Sequence, residues 1–275
     1  MPYEILVIGG GPAGLSAAMN ARARGRSVLV VSNPMEESPL YPADRVDNYP
    51  GLPGVSGAEL LKTLRDHAEA SGAEFRTGKV LSTFSMSGSW YASIGSDMEQ
   101  VRSIILAAGV ARGKKFPGEA EFLGRGVSYC ATCDGMLYKG KTVAVLGFSD
   151  SAQKEADFLR EIGCTVHFYD RPKKCEILGD SQVRSLTCDG ESVEVDCVFI
   201  LRPTAAPDDL LPGLALEGGY VQVDRRMATN LPGVFAAGDC TGGPLQIAKA
   251  TGEGLIAGQS AAAFVAEQIR KEKQG

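Results

Sequence analysis

Tyr3-Glu4-Ile5-Leu6-Val7-Ile8-Gly9-Gly10-Gly11-Pro12-Ala13-Gly14, near the start of the chain, decides the fold. A short apolar, β-prone run leads directly into a glycine-rich turn, and an alanine-rich helical run follows it. Ser27 to Val31 then reads as a second strand, completing one βαβ unit. In the pattern Gly9-x-Gly11-x-x-Gly14 the glycines let backbone approach a pyrophosphate, while the start of the helix supplies N–H donors and a positive dipole end. Gly9, Gly11, Pro12, Ala13 and Gly14 are therefore candidate contacts to a dinucleotide; a tight turn with no ligand is the plain alternative. The acid expected at the end of the second strand to hold a ribose is missing. Ser32 and Asn33 stand there and can hydrogen-bond hydroxyls without charge.

Working outward, Gly57 to Ser71 has helical spacing, Val80 to Ile94 reads as hairpin strands, and Ile104 to Gly109 is a buried strand ending in small residues. The plan then repeats. Val143 to Gly147 is a strand, Ser151 to Ile162 a helix and Thr165 to Tyr169 another strand. Val198 to Leu201 and Tyr220 to Val223 read as further strands. Val234 to Asp239 and an Ala/Gly-rich helix return the chain to the first domain. The expected fold class is α/β, with two Rossmann-like domains, the second smaller and inserted in the first. The larger, discontinuous domain is expected at 1–112 and 204–275, and the smaller one at 113–203.

Composition narrows the function classes. A net charge of -5 with no long Lys/Arg block gives no footprint for nucleic acid or a membrane surface. No run of 18 or more apolar residues occurs, and Met1 to Glu4 does not begin like a secretory leader, so a cytoplasmic protein is expected. Seven cysteines, mostly scattered, do not resemble the framework of a small secreted domain.

One pair is different. Cys130-Ala131-Thr132-Cys133-Asp134 has the two-residue spacer that lets two sulfurs form an exchangeable disulfide, with an acid beside them to move protons. Zinc is the rival reading, but a structural site needs four ligands, and the chain has only His67 and His167 and no second Cys-x-x-Cys. No metal is expected. An inert buried pair is the other alternative. The remaining cysteines, Cys164, Cys175, Cys188, Cys197 and Cys240, read as small buried or incidental thiols.

Taken in order, Gly9 to Gly14, Asn48-Tyr49-Pro50-Gly51, Ala107-Ala108-Gly109, Tyr129 to Asp134 and Gly233 to Asp239 resemble the thioredoxin reductase family of flavoproteins along nearly the whole chain. That resemblance implies FAD in the discontinuous domain, the cysteine pair in the inserted one, a homodimer, and thioredoxin as the acceptor. It makes Cys133 the sulfur facing the flavin, Cys130 the one that attacks the protein disulfide, and Asp134 the proton donor and acceptor. Gly238 and Asp239 would hold the ribityl chain. Ala108, Gly109 and Asn48 would lie by the flavin, and Gln246 with Ile247 would meet its pyrimidine end.

The family's NADPH site is altered. The second turn reads Gly147-Phe148-Ser149-Asp150-Ser151-Ala152, with a side chain at the central glycine position and an acid where a pyrophosphate would lie. Tyr169-Asp170-Arg171 replaces the family's His-Arg-Arg for a 2′-phosphate, with Lys173 and Lys174 as partial substitutes. The inserted domain is shortened, and Ser38 to Asp44 lacks the family's Gly-Gly-Gln loop. These departures resemble the pyridine-nucleotide-independent, flavin-dependent ferredoxin-thioredoxin reductases. That branch is similar at Gly124 to Asp134 and at Leu137-Tyr138-Lys139-Gly140-Lys141. Ferredoxin is then the expected donor. Seven Lys/Arg against three acids between residues 101 and 141 could steer an acidic partner, although an ordinary solvated surface has such counts too. An NADPH-dependent reductase with a divergent nucleotide site, or a non-catalytic flavoprotein redox sensor, are the alternatives.

Overall fold

The computed structural model describes residues 2–110, 115–149, 152–202 and 206–274, without the Cys133 side chain. The chain divides into two compact units, Met1–Ala111 with Ala206–Gly275, and Arg112–Ala205. The first unit begins β1 (Ile5–Ile8), α1 (Pro12–Arg22), β2 (Val28–Ser32), α2 (Gly57–Ala70) and β3 (Glu74–Thr77). It continues with β4 (Val80–Met86), β5 (Ser89–Ile94), β6 (Asp97–Val101) and β7 (Ser103–Leu106). The second unit holds β8 (Val127–Ser128), α3 (Ala131–Asp134), β9 (Thr142–Gly147), α4 (Ala152–Glu161) and β10 (Thr165–Asp170). After these come β11 (Cys175–Gly179), β12 (Val183–Cys188), β13 (Glu191–Glu194) and β14 (Cys197–Leu201). The chain re-enters the first unit through α5 (Pro207–Leu210), β15 (Leu216–Glu217), β16 (Tyr220–Val221), β17 (Val234–Ala236) and α6 (Ile247–Glu272).

The α/β class read from the alternating patterns is the one observed. In the first unit five strands pair in parallel in the order β17-β7-β1-β2-β3. The runs Ile5–Ile8 and Ser103–Leu106 are buried throughout, as a sheet covered on both faces requires. On one face α1 and α6 pack at close range, since a Cβ added to Gly254 or Gly258 would lie 2.1 Å from the Ala13 carbonyl oxygen or 2.3 Å from that of Ala17. Ser16 Oγ donates to the Thr251 carbonyl at 2.7 Å across the same contact. On the α2 side, a capping box starts the helix: Ser56 Oγ accepts from Glu59 N–H at 3.2 Å, and the Glu59 carboxylate accepts from Ser56 N–H at 2.9 Å. A separate antiparallel sheet, β4-β5-β6, is fastened by Thr83 Oγ1 to the Leu210 carbonyl and by Trp90 Nε1 to that of Pro232.

The second unit repeats the plan with a four-stranded parallel sheet, β10-β9-β14-β8, and adds the antiparallel sheet β11-β12-β13. That second sheet has no counterpart among the expected elements. Its strands are short, and its central strand is buried only at Val183, Leu186 and Cys188. One expectation is corrected here: Cys175 and Cys188 are buried, but they are disulfide-bonded to each other rather than free thiols. The β11-β12 register puts them directly opposite, a juxtaposition that sequence spacing does not reveal. Cys164, Cys197 and Cys240 are buried free thiols.

Candidate flavin and dithiol sites

The first unit gathers its motif residues along the C-terminal edge of its parallel sheet, where ligands of such folds lie. Gly9 N–H donates to Val31, Ala107 N–H to Ile8 and Ala237 N–H to Leu106, all at 2.8–2.9 Å, so the first residue past each strand is held against its neighbour. Gly9 to Gly14, Ser32, Ala107 to Gly109 and Gly238-Asp239 follow one another along this edge. Two glycines serve the fold: a Cβ on Gly9 would lie 2.3 Å from the Ala107 carbonyl oxygen, and one on Gly14 1.9 Å from that of Gly9. Gly11 is different. A Cβ there would meet nothing within 4 Å, so its bareness leaves open space at the start of α1. Pro12 takes the first helical position, where its missing N–H costs nothing.

At the end of β2, Asn33 Nδ2 donates to Glu37 Oε2 at 3.0 Å. Glu37 was not singled out in the sequence, because it lies five residues past the strand on a short 3-10 turn, Met35–Glu37. It returns a carboxylate to the region where Ser32 and Asn33 stand in for the absent acid. Farther along, Asn48 Nδ2 donates to Gln246 Oε1 at 2.8 Å, uniting two residues 198 positions apart. Ile247 opens α6 and packs half-buried against the cluster containing Leu15, Val46 and Leu60.

Asp239 is half-buried, and burial raises its carboxyl above the ordinary range; Lys249 opposes that shift and Glu253 adds to it. Its carboxylate forms no hydrogen bond among the described residues, whereas the loop around it is tightly tied. Lys249 Nζ donates to the carbonyls of Gly238 and Gly242 at 2.8 and 2.6 Å and lies 3.1 Å from Glu253. Glu253 in turn accepts from Gly238 N–H at 2.9 Å and from Thr241 Oγ1 at 2.8 Å. Both were missed in the sequence, where an i,i+4 Lys/Glu pair in the first turns of an Ala/Gly-rich helix was the available signal. Cys240, behind this loop, donates to the Ala237 and Leu106 carbonyls, and burial pushes its thiol up to about 12. Together, a bare turn at a helix start, polar groups at the end of β2 and a fixed, unbonded carboxylate fit the pyrophosphate, ribose and ribityl parts of FAD.

In the second unit, Cys130 is disulfide-bonded and half-buried, at the N-cap of the short helix α3. The side chain of Cys133 lies outside the described residues. Thr132 Oγ1 is 3.4 Å from Cys130 Sγ. Ser128 organises the rest: its hydroxyl donates to Asp134 Oδ2 at 2.7 Å, and it accepts from Cys130 N–H at 3.1 Å. This serine was not picked out in the sequence, where nothing distinguishes it from any small polar residue ending a strand. It ties the acid to the backbone of the sulfur that precedes it.

The second turn contrasts with the first. Gly147 closes β9, Phe148 N–H donates to the Leu201 carbonyl at 2.9 Å, and Ser149 follows; Asp150 lies outside the described residues. A cavity of about 280 Å³ opens beside it, lined by Ser149, Gln153, Phe168, Asp170 and Arg171. Asp170 and Arg171 stand 4.0 Å apart there, so the guanidinium already faces an acid.

Comparison with known proteins bears on the whole chain. The pyridine nucleotide-disulphide oxidoreductase family model matches residues 3–181 and 171–254. The thioredoxin reductase of Bacillus subtilis is 34% identical over 303 residues, covering 96% of this chain and 95% of its own. That of Aquifex aeolicus is 35% identical over 283 residues, covering 86% and 85%. A crystal structure of a ferredoxin-flavin thioredoxin reductase from Clostridium acetobutylicum superposes with a TM-score of 0.92 at 38% identity, covering 97% of this chain and 98% of that one. By these matches, which span nearly its whole length, the chain belongs to the pyridine nucleotide-disulphide oxidoreductase family and is a thioredoxin reductase-like flavoprotein.

Proposed function

We propose that this chain takes electrons from reduced ferredoxin, passes them through FAD to the Cys130-Cys133 disulfide, and so reduces thioredoxin. The observation that carries the donor assignment is the second turn, where Ser149 stands at the central glycine position and Asp170 accompanies the lone Arg171 where a 2′-phosphate would need cations. Similarity to a reductase described as ferredoxin-flavin linked supports the same reading. By the family resemblance the chain works as a homodimer, with its first unit binding FAD and its second carrying the dithiol.

Gly9, Gly11, Pro12, Ala13 and Gly14 would hold the pyrophosphate; Ser32, Asn33 and Glu37 the ribose; Asp239 the ribityl hydroxyls. Asn48, Ala108, Gly109, Gln246 and Ile247 would border the ring, and Gly238 would join Asp239 at the ribityl chain. Bound flavin supplies the ability to take electrons singly and give them in pairs. Two electrons and two protons convert the Cys130-Cys133 disulfide to a dithiol. Cys130 thiolate then attacks the thioredoxin disulfide to form a mixed disulfide. Cys133 thiolate displaces that bond, re-forming the pair and releasing reduced thioredoxin. Asp134, held by Ser128, is placed to give and take the thiol proton.

The test is reconstituted turnover with reduced ferredoxin, the FAD-loaded chain and oxidised thioredoxin, read as thioredoxin thiols formed. Turnover is expected, and Cys130→Ser or Cys133→Ser should each reduce it to background while the flavin stays bound. Turnover that survives Cys133→Ser, or that requires NADPH, would remove the proposal.

A further inference from the structure

In doubly wound sheets a dinucleotide lies in the crevice past the strand ends where chain order reverses. In the second unit β9 sits between β10 and β14 in parallel register, so that crevice opens past β9 and β14. The first residue beyond β9 is Phe148 and the first beyond β14 is Arg202. The corresponding places in the first unit, beyond β1 and β7, carry small residues, Gly9-Gly10 and Ala107-Ala108. The bulky residues meet. Arg202 Cζ lies 5.5 Å from the ring centroids of both Phe148 and Phe116, and the two rings stack with centroids 6.0 Å apart.

A buried carboxylate fixes this cluster. The Arg202 Nη atoms donate to the two oxygens of Glu119 at 2.5 and 2.9 Å, and Glu119 is 0% exposed. Glu119 also accepts from Phe116 N–H at 2.9 Å and from the Tyr129 hydroxyl at 3.1 Å, so both of its oxygens are used twice. A bidentate guanidinium between aromatic faces is a rigid arrangement, and dismantling it would strand a buried charge.

We infer that Phe116, Phe148 and Arg202, clamped by Glu119, plug the dinucleotide crevice of the second unit, leaving no room for the nicotinamide half of a pyridine dinucleotide. The plug is a specificity determinant separate from the altered turn, and it rests on the reading that pyridine nucleotides do not reduce this flavin. The open cavity at Asp170 and Arg171 lies on the adenosine side, and the plug closes the other.

The test uses the FAD-loaded full chain and calorimetric titration with NADP+ and NAD+. Ser149→Gly with Asp150→Asn first repairs the turn. To that parent, Glu119→Gln with Arg202→Ala is added in one chain and Phe148→Ala in another, and flavin content and melting confirm that each is folded. Each unplugged chain should bind at least one of the two nucleotides about tenfold or more tightly than the turn-repaired parent. Equal affinity in parent and unplugged chains overturns the plug, as does a parent whose affinity the unplugged chains do not improve. Reduction of the unmodified chain by NADPH fails the donor reading instead; an unmodified chain that resists NADPH, with no gain on unplugging, fails the plug alone.

Discussion

The two βαβ turns of this chain share a backbone plan and differ in what they leave open. In the first, Gly9 and Gly14 are demanded by packing, while Gly11 borders empty space. In the second, packing still demands Gly147, whose added Cβ would lie 2.9 Å from that of Ala152 and 3.0 Å from the Phe168 ring, but Ser149 stands where Gly11 does. Of the two packing glycines, the one at the strand end is kept in both turns and the one in the helix is Ala152 in the second, whereas the glycine that serves a ligand is kept in one. Fold and ligand site are thus separable in the same motif, and the second unit retains the first property without the second.

Substitution can break this comparison most severely at Gly14. Gly14→Val drives a side chain into the Gly9 carbonyl and should destabilise the first unit by about 3 kcal/mol or prevent folding, as read by denaturant titration of the FAD-free chain. Gly11→Ser should behave oppositely. Gly11 is an extended N-cap, where serine is welcome, so stability should hold or rise by a few tenths of a kcal/mol while FAD affinity falls about tenfold or more. Equal losses of stability at both positions would erase the distinction between packing and ligand glycines.

Two half-buried acids, one per unit, sharpen it further. Asp134→Asn removes the proton carrier tied to Ser128 and should slow turnover about a hundredfold at unchanged FAD content. Asp239→Asn acts on binding and on pH dependence. Because burial raises the Asp239 carboxyl in the folded chain, the folded state holds that proton to higher pH than the unfolded state. Its contribution to FAD-free stability is therefore greatest below the ordinary carboxylate range and is lost as pH rises through the raised value. The FAD-free Asp239→Asn chain should melt higher than its parent near neutral pH, by no more than about 3 °C, and the gain should vanish in acid. FAD binding should weaken in the same variant.

Much of this was legible in the sequence because it depends on local order. A strand, three glycines and a helix form a turn by themselves, and Cys130-x-x-Cys133-Asp134 carries its chemistry within five residues. What was not legible depends on where the chain turns back and which segments it pairs. Glu37 reaches Asn33 only because a 3-10 turn folds the chain back, Cys175 meets Cys188 only through the β11-β12 pairing, and Arg202 finds Glu119 from 83 residues away. Lys249 and Glu253, which the sequence reading passed over, both point into the Gly238–Gly242 loop.

The most direct test of the central claim is an anaerobic titration of the oxidised, FAD-loaded chain, followed by flavin absorbance, with reduced ferredoxin, NADPH and NADH added separately. The account predicts stoichiometric bleaching by reduced ferredoxin and no useful rate with either nucleotide. Rapid stoichiometric bleaching by NADPH, with ferredoxin inert, would contradict it and make the chain an NADPH-dependent reductase with a divergent nucleotide site.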